Sequence, residues 1–298
     1  MDYTVERLSD HPIEAVKAAL RASFDQPFTD EFFQWKHVEG PWGPTNGWVA
    51  VDDAGISGVL CCLPWALRRG DRVAIASRLV DGGTVPRALR QGIFGELVRH
   101  EVDRCRSAAV PQSIFCTATP AARDSHVKRG AIALEPLRHG VGVVAARAAA
   151  RSVEFDDAID HYVDTADARV GTAWTAEALR WRMDPRSGHD YECARLRSAD
   201  GPNGLVFRIA SSRGIRRLFV ELAWGSAADV VALVAAAAVR RGAVLWSAPV
   251  RDGAGFGGRP LVCRGDSLVC SWPFDPSFDG LRDIADARLW LFDVEGLI

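Results

Sequence analysis

The residues of this 298-residue chain best suited to chemistry lie between positions 72 and 106, RVAIASRLVDGGTVPRALRQGIFGELVRHEVDRCR. Val73, Ile75, Leu79 and Val80 carry strand character, and Gly82, Gly83 and Pro86 break it. Gly92, Ile93, Phe94, Leu97 and Val98 then recur at helical spacing, with Arg90, Glu96, Arg99, Glu101 and Arg104 on the polar side. A helix that opens beside a glycine-containing turn presents unpaired N–H groups and the positive end of its dipole, which suits a pyrophosphate.

Other signals carry less. Gly253 to Gly258 spells G-x-G-x-x-G, but Arg259-Pro260 and an apolar run follow where a dinucleotide site needs a helix, so it reads as a loop. Ser125-x-x-Lys128 has the spacing of a serine–lysine acylation pair without its companion motifs. Seven scattered cysteines show no C-x-x-C and no metal-ligand spacing, which argues against structural zinc and for a reducing compartment. A net charge of −2 argues against a nucleic-acid or membrane-surface binder. No apolar run reaches membrane-span length, and the polar start MDYTVERLSD is not a signal peptide, so the chain reads as a cytoplasmic protein.

The elements around the 72–106 stretch read as an α/β fold with a mixed sheet. Residues 11–24 suit a helix, and 29–37 a second one capped by Thr29. Strands at 48–51 and 57–63 flank a hairpin turn at 52–55. After the strand–turn–helix come a strand at 112–116, a polar helix at 120–129 ending at Gly130, and strands at 131–137 and 141–145. The segment 145–155, rich in alanine and arginine, reads as a linker.

Beyond it the order repeats. Phe33-Gln34-Trp35-Lys36 is echoed about 146 residues later by Leu179-Arg180-Trp181-Arg182. Strands at 191–196, 205–210 and 215–224 follow, then a helix from Ser226 to Arg241 with Ser226 and Asp229 as a capping pair and Gly242 as its stop, then a strand at 243–247. The chain reads as one unit used twice, over 1–148 and 149–298.

The order of elements, with FFQWKH at 32–37, TVPRALRQGIFGEL at 84–97 and SHVKRGA at 125–131, resembles the GNAT superfamily of acyl-CoA-dependent N-acyltransferases. The duplication is similar to tandem GNAT proteins of the mycothiol synthase type. The family's phosphate turn usually reads Val-x-Pro-x-x-Arg-Gly-x-Gly-x-Gly/Ala. Pro86 and Gly92 fit it, while Leu89 stands for the arginine and Phe94 for the last small residue. Phe94 either obstructs the turn or faces the core.

The resemblance implies transfer of an acetyl or other acyl group from acetyl-CoA or another acyl-CoA to a small-molecule amine. An acyl carrier protein's phosphopantetheine is the alternative donor. The implied cofactor contacts are Val80, Gly82 and Gly83 on the strand and Arg90, Gln91, Gly92 and Ile93 at the turn. Asp81 is the implied general base, or else a residue that starts the turn. His126, where the family often has tyrosine, is the implied general acid, or else a solvent-facing histidine. Some tandem relatives use the terminal carboxylate, here on Ile298. The second half, with Ala223-Trp224-Gly225-Ser226-Ala227 at its turn, is expected not to bind CoA and to help line the acceptor pocket. A ligand- or partner-binding module and a thioester-processing enzyme are the rival readings.

Overall fold

A computed structural model describes residues 2–24, 28–144, 153–155, 158–164, 168–196, 201–249, 262–283 and 287–288. The first half runs β1 (Thr4–Arg7), α1 (Ile13–Ser23), α2 (Asp30–Phe33), β2 (Asn46–Asp52), β3 (Gly55–Arg69), β4 (Arg72–Thr84), α3 (Ile93–Ser107), β5 (Ile114–Ala118), α4 (Pro120–Val127), β6 (Ile132–Ala133) and β7 (Leu137–Val143). The second runs β8 (Val153–Glu154), β9 (Val170–Thr172), α5 (Ala176–Arg182), β10 (Tyr191–Leu196), β11 (Gly204–Ser212), β12 (Ile215–Trp224), α6 (Ala227–Arg241), β13 (Leu245–Pro249), β14 (Val262–Trp272) and β15 (Ala287–Arg288). No described helix is long and apolar enough to cross a membrane.

The expected caps hold. Thr29 accepts from the Phe32 amide at the start of α2, and Ser226 accepts from the Asp229 amide at the start of α6. The helix expected over 29–37 is α2 followed by one wide turn, Gln34–Val38, closed by Glu39 N–H to the Gln34 carbonyl at 3.0 Å. A correction concerns Gly82 and Gly83. They do not break β4, which runs through both to Thr84. They are glycines because helices press on the strand from either face. A Cβ on Gly82 would lie 2.5 Å from the Phe94 ring, and one on Gly83 would lie 2.6 Å from Ser23 Cβ.

The two halves repeat each other in pairing as well as in order. β2–β3–β4 and β10–β11–β12 are antiparallel, β5 pairs with β4 in parallel, and β13 pairs with β12 in parallel. Each half is completed by a strand from the other. The Leu268–Trp272 part of β14 pairs with β5 and β6, and the rest of β14 pairs with β7. β7 in turn pairs with β13. One strand path therefore runs β1-β2-β3-β4-β5-β14-β7-β13-β12-β11-β10-β8. The strands expected at 131–137 and 141–145 are the short β6 and the longer β7. Of the linker expected over 145–155, residues 145–152 lie outside the described residues, as does the 148/149 boundary, and Val153–Glu154 form β8.

Between the halves lies an apolar cluster containing Trp35, Trp65, Trp174, Leu179, Leu222 and Trp224. At its centre the echoed tryptophans meet. Trp35 and Trp181 stack at 5.1 Å with 19° between planes. Trp35 Nε1 donates to the Trp181 carbonyl at 2.7 Å, and Trp181 Nε1 donates to the Trp35 carbonyl at 2.8 Å. This reciprocity is what an internal two-fold relation between duplicated units produces.

Trp35→Ala and Trp181→Ala are each expected to cost about 3–5 kcal/mol, because each empties a packed site and deletes an indole hydrogen bond. The double variant should cost less than the sum, since either single already deletes the stack the two rings share. Urea denaturation of all three variants measures this.

Candidate acyl-thioester site

The site is built where two parallel strands part. β4 and β5 pair only at Ser77 with Ile114 and Arg78 with Phe115. β5 then follows β14, while β4 continues to Thr84. Among the described residues no strand pairs with the far edge of 79–84, so its peptide groups face an open wedge. An unpaired strand edge suits an extended ligand with amides of its own.

Within this edge β4 carries one extra residue. Leu60 pairs with Gly82 and Cys61 with Val80, which leaves Asp81 as a bulge with φ of 38°. The Asp81 side chain is 5% exposed and points away from solvent. Its Oδ2 accepts from Lys36 Nζ at 2.5 Å and lies 3.0 Å from His37 Nε2. Lys36 is fully buried, and His37 Nδ1 sits 3.0 Å from Thr45 Oγ1. Burial alone would raise the Asp81 carboxyl. The Lys36 ammonium and His37 together outweigh it and hold the group at about 2. Burial pulls both Lys36 and His37 below their usual values. A carboxylate held so low by a buried cation is a weak proton acceptor. The environment of Asp81 suits a strut better than a general base.

The turn expected to hold pyrophosphate is formed by 89–92. Arg90 has a φ of 66° and Gly92 one of 79°, and Arg90, Gln91 and Gly92 are exposed. α3 begins at Ile93 with no side-chain cap. Its first internal bond is Glu96 N–H to the Gly92 carbonyl at 3.1 Å, so the amides of Ile93, Phe94 and Gly95 precede the helical ladder. Ile93 itself is buried against β3, where a Cβ on Gly58 would lie 2.5 Å from its Cγ2. It contributes its amide to the turn while its side chain belongs to the core.

Phe94 faces inward. Its ring lies against Gly82 on one side and meets His126 edge-on at 5.5 Å on the other. Small Gly82 and large Phe94 fill one volume across the strand–helix contact. The ring covers the face of β4, and the hydrogen-bonding edge lies in the plane of the sheet.

His126 is 3% exposed, which departs from the solvent-facing alternative. Its ring also meets Trp272 of β14 at 5.4 Å. Nδ1 has no hydrogen-bond partner among the described residues. Burial, with the charge of Arg129 added, lowers it to about 4, so it is uncharged at neutral pH.

Two groups escaped the sequence reading. Arg129 lies across the first turn of α3, donating from Nε to the Gly95 carbonyl at 2.5 Å and from Nη1 to Ser125 O and Oγ at 2.9 and 3.0 Å. It brings positive charge to the N-terminal end of α3, and its place in SHVKRGA was the only available signal. Lys36 and His37 were visible only as a motif, because their partner is 45 residues away on another element. The G-x-G-x-x-G run and Ile298 lie outside the described residues.

The parallel strand pair thus splits beside a helix start that has no side-chain cap. Residues 4–122 match the family model described as an acetyltransferase (GNAT) domain. Among solved structures, a GCN5-related N-acetyltransferase from Anabaena variabilis superposes with a TM-score of 0.70 at 12% identity, covering 92% of this chain and 73% of its own. Eis1 from Mycobacterium abscessus gives 0.59 at 15% identity, covering 90% and 73%. Saccharomyces cerevisiae N-myristoyltransferase with bound myristoyl-CoA gives 0.50 at 9% identity, covering 91% and 78%. At these identities the likeness is one of fold, and it spans both halves, in keeping with tandem GNAT-like units. No curated protein matches the chain in sequence.

Two expectations follow from this packing. Gly82→Ala should cost about 1–3 kcal/mol by overpacking, and adding Phe94→Leu should recover most of it; thermal unfolding of the three variants measures both. His126 is held near 4 when folded and titrates near 6.5 when unfolded, so unfolding takes up a proton between those values. Its contribution to stability is complete above pH 6.5 and declines as pH falls toward 4, by about 3 kcal/mol in all. His126→Leu should flatten that decline in urea titrations.

Proposed function

We propose that the protein transfers an acyl group from acetyl-CoA or another acyl-CoA to a small-molecule amine. The observation that carries this reading is the open edge of β4 over 79–84 next to the uncapped start of α3. The edge offers peptide groups to the amides of a pantetheine arm, and the helix start offers N–H groups to a pyrophosphate. Val80, Gly82 and Gly83 would line the arm. Arg90, Gln91, Gly92 and the Ile93 amide would take the phosphates, with Arg129 adding charge. The GNAT domain match supports acyl transfer as the reaction class, and the myristoyl-CoA held by the yeast neighbour supports an acyl-CoA as donor.

In this reading the amine nitrogen attacks the thioester carbonyl at the wedge. The carbonyl oxygen gains negative charge and is met by strand-edge N–H groups that are already in place. The carbon–sulfur bond then breaks and the sulfur leaves with the electron pair. His126, uncharged, offers an N–H hydrogen bond to that sulfur, which suffices for a leaving group whose conjugate acid is a weakly acidic thiol. The proton lost by the amine goes to solvent at the mouth of the wedge, since Asp81 is engaged by Lys36 and His37. The second half presents Ser226 as its own helix cap and Trp224 at its turn, and serves as support and as one wall of the acceptor pocket.

Acetyl-CoA should raise the unfolding temperature with a concentration dependence equivalent to about 2.7 kcal/mol at a hundredfold excess over Kd. A panel of small amines should release free thiol from it. His126→Gln should bind acetyl-CoA normally and turn over roughly a hundredfold more slowly. Stabilisation without thiol release would identify a binding module, and thiol release without amine a hydrolase. No stabilisation at millimolar acetyl-CoA would refute the donor assignment.

A further inference from the structure

We infer that Lys36 and His37 are positioning residues for the donor thioester, acting through Asp81 on the edge of β4. The inference rests on the donor reading above and gives the FFQWKH segment a role. A non-glycine residue at a φ of 38° is an unfavourable backbone state, and it persists only when its surroundings fix it. Here the fixing groups are the Lys36 ammonium at 2.5 Å and the His37 ring at 3.0 Å, both on the wide turn that follows α2. That turn is itself tied down. The His37 carbonyl accepts from the Thr45 amide at 2.8 Å, and Trp35, one residue before Lys36, is locked to Trp181 of the other half. The aim of the strand edge is therefore set from the interface between the halves.

The second half supplies an independent observation. Val206 pairs with Leu222 and Phe207 with Val220, so Glu221 is the extra residue of a bulge on β12. Glu221 is 1% exposed and accepts from Arg208 Nε at 2.6 Å. Arg182, the residue that echoes Lys36, is fully buried at the end of α5. Both halves thus keep a buried acid at the bulge and a buried cation at the end of the preceding helix, although aspartate and lysine in one are glutamate and arginine in the other. Shared chemistry with changed residues points to a requirement of the bulge itself. What distinguishes the first half is what the bulge aims: two glycines at the wedge and an uncapped helix, against Trp224 and the Ser226 cap. A bulge re-aims the strand that follows it, and a small misplacement of donor groups is enough to weaken a bound thioester.

The test is titration calorimetry with CoA on the full chain, at a temperature where every variant is folded, together with acetyl-CoA turnover. Lys36→Met and Asp81→Asn should each weaken CoA binding at least tenfold and raise the KM for acetyl-CoA more than they lower kcat. The double variant Lys36→Met, Asp81→Asn removes both charges at once and so avoids leaving one buried alone. It should fold and show the same weakened binding. Glu221→Gln should lower the unfolding temperature while keeping CoA affinity within twofold of the wild type. If Lys36→Met and the double variant bind CoA like the wild type, the inference is overturned. It is overturned equally if Asp81→Asn binds normally but abolishes turnover while Lys36→Met turns over normally, because Asp81 is then the base. A wild type that binds no CoA removes the donor reading and this inference together, whereas a wild type that binds beside an indifferent Lys36→Met removes this inference alone.

Discussion

The ion pair between Lys36 and Asp81 is the interaction on which the rest of the first half is set. It joins the turn after α2 to the middle of β4, away from water, where a single unpartnered charge would be very costly. Through it the bulge acquires a fixed direction. The glycines that follow can then lie between α1 on one face and α3 on the other, and β4 can leave β5 while still pairing with β3. Removing one member would strand the other charge and free the one strained residue of the strand.

This arrangement supports the proposal that a degenerate phosphate turn serves as a site. The usual arginine is Leu89, which is exposed and contributes nothing to the turn. Positive charge arrives from Arg129 on a different segment. The usual small residue is Phe94, and the volume it adds is given up by Gly82. The backbone amides, which do not depend on side-chain identity, stay where an anion can reach them. The motif has been redistributed over α3, β4 and the end of α4, which is why matching one stretch of sequence against the pattern undervalues it.

The halves depend on each other in a way that a contiguous division of the chain hides. β14 lies between β5 and β6, and β7 lies against β13, so neither sheet is complete without a strand from the other half. Trp272 of β14 stands behind His126, and Trp181 of α5 holds Trp35 beside Lys36. Groups from the second half thus shape the surroundings of the proposed donor site, whose named residues all come from the first.

Much of this was legible in the chain alone, because it follows from short-range rules. Hydrophobic periodicity marked the helices and strands, Thr29 and Ser226 marked helix starts, Gly130 and Gly242 marked stops, and the echoed tryptophans gave the duplication. The family resemblance came from spacing within single segments. What the tertiary structure decided needed partners far apart in sequence. Glycines read as strand breakers became places of close approach, since nothing local shows that Phe94 and Ser23 press on them. A histidine on a polar helix became buried and uncharged because Trp272 arrives from the other half. That Asp81, read as a base or as a turn-starting residue, is one end of a buried ion pair depends on Lys36, 45 residues earlier on another element. Local sequence sets which backbone states are cheap, whereas burial and charge pairing depend on which segments meet, and only the folded chain fixes that.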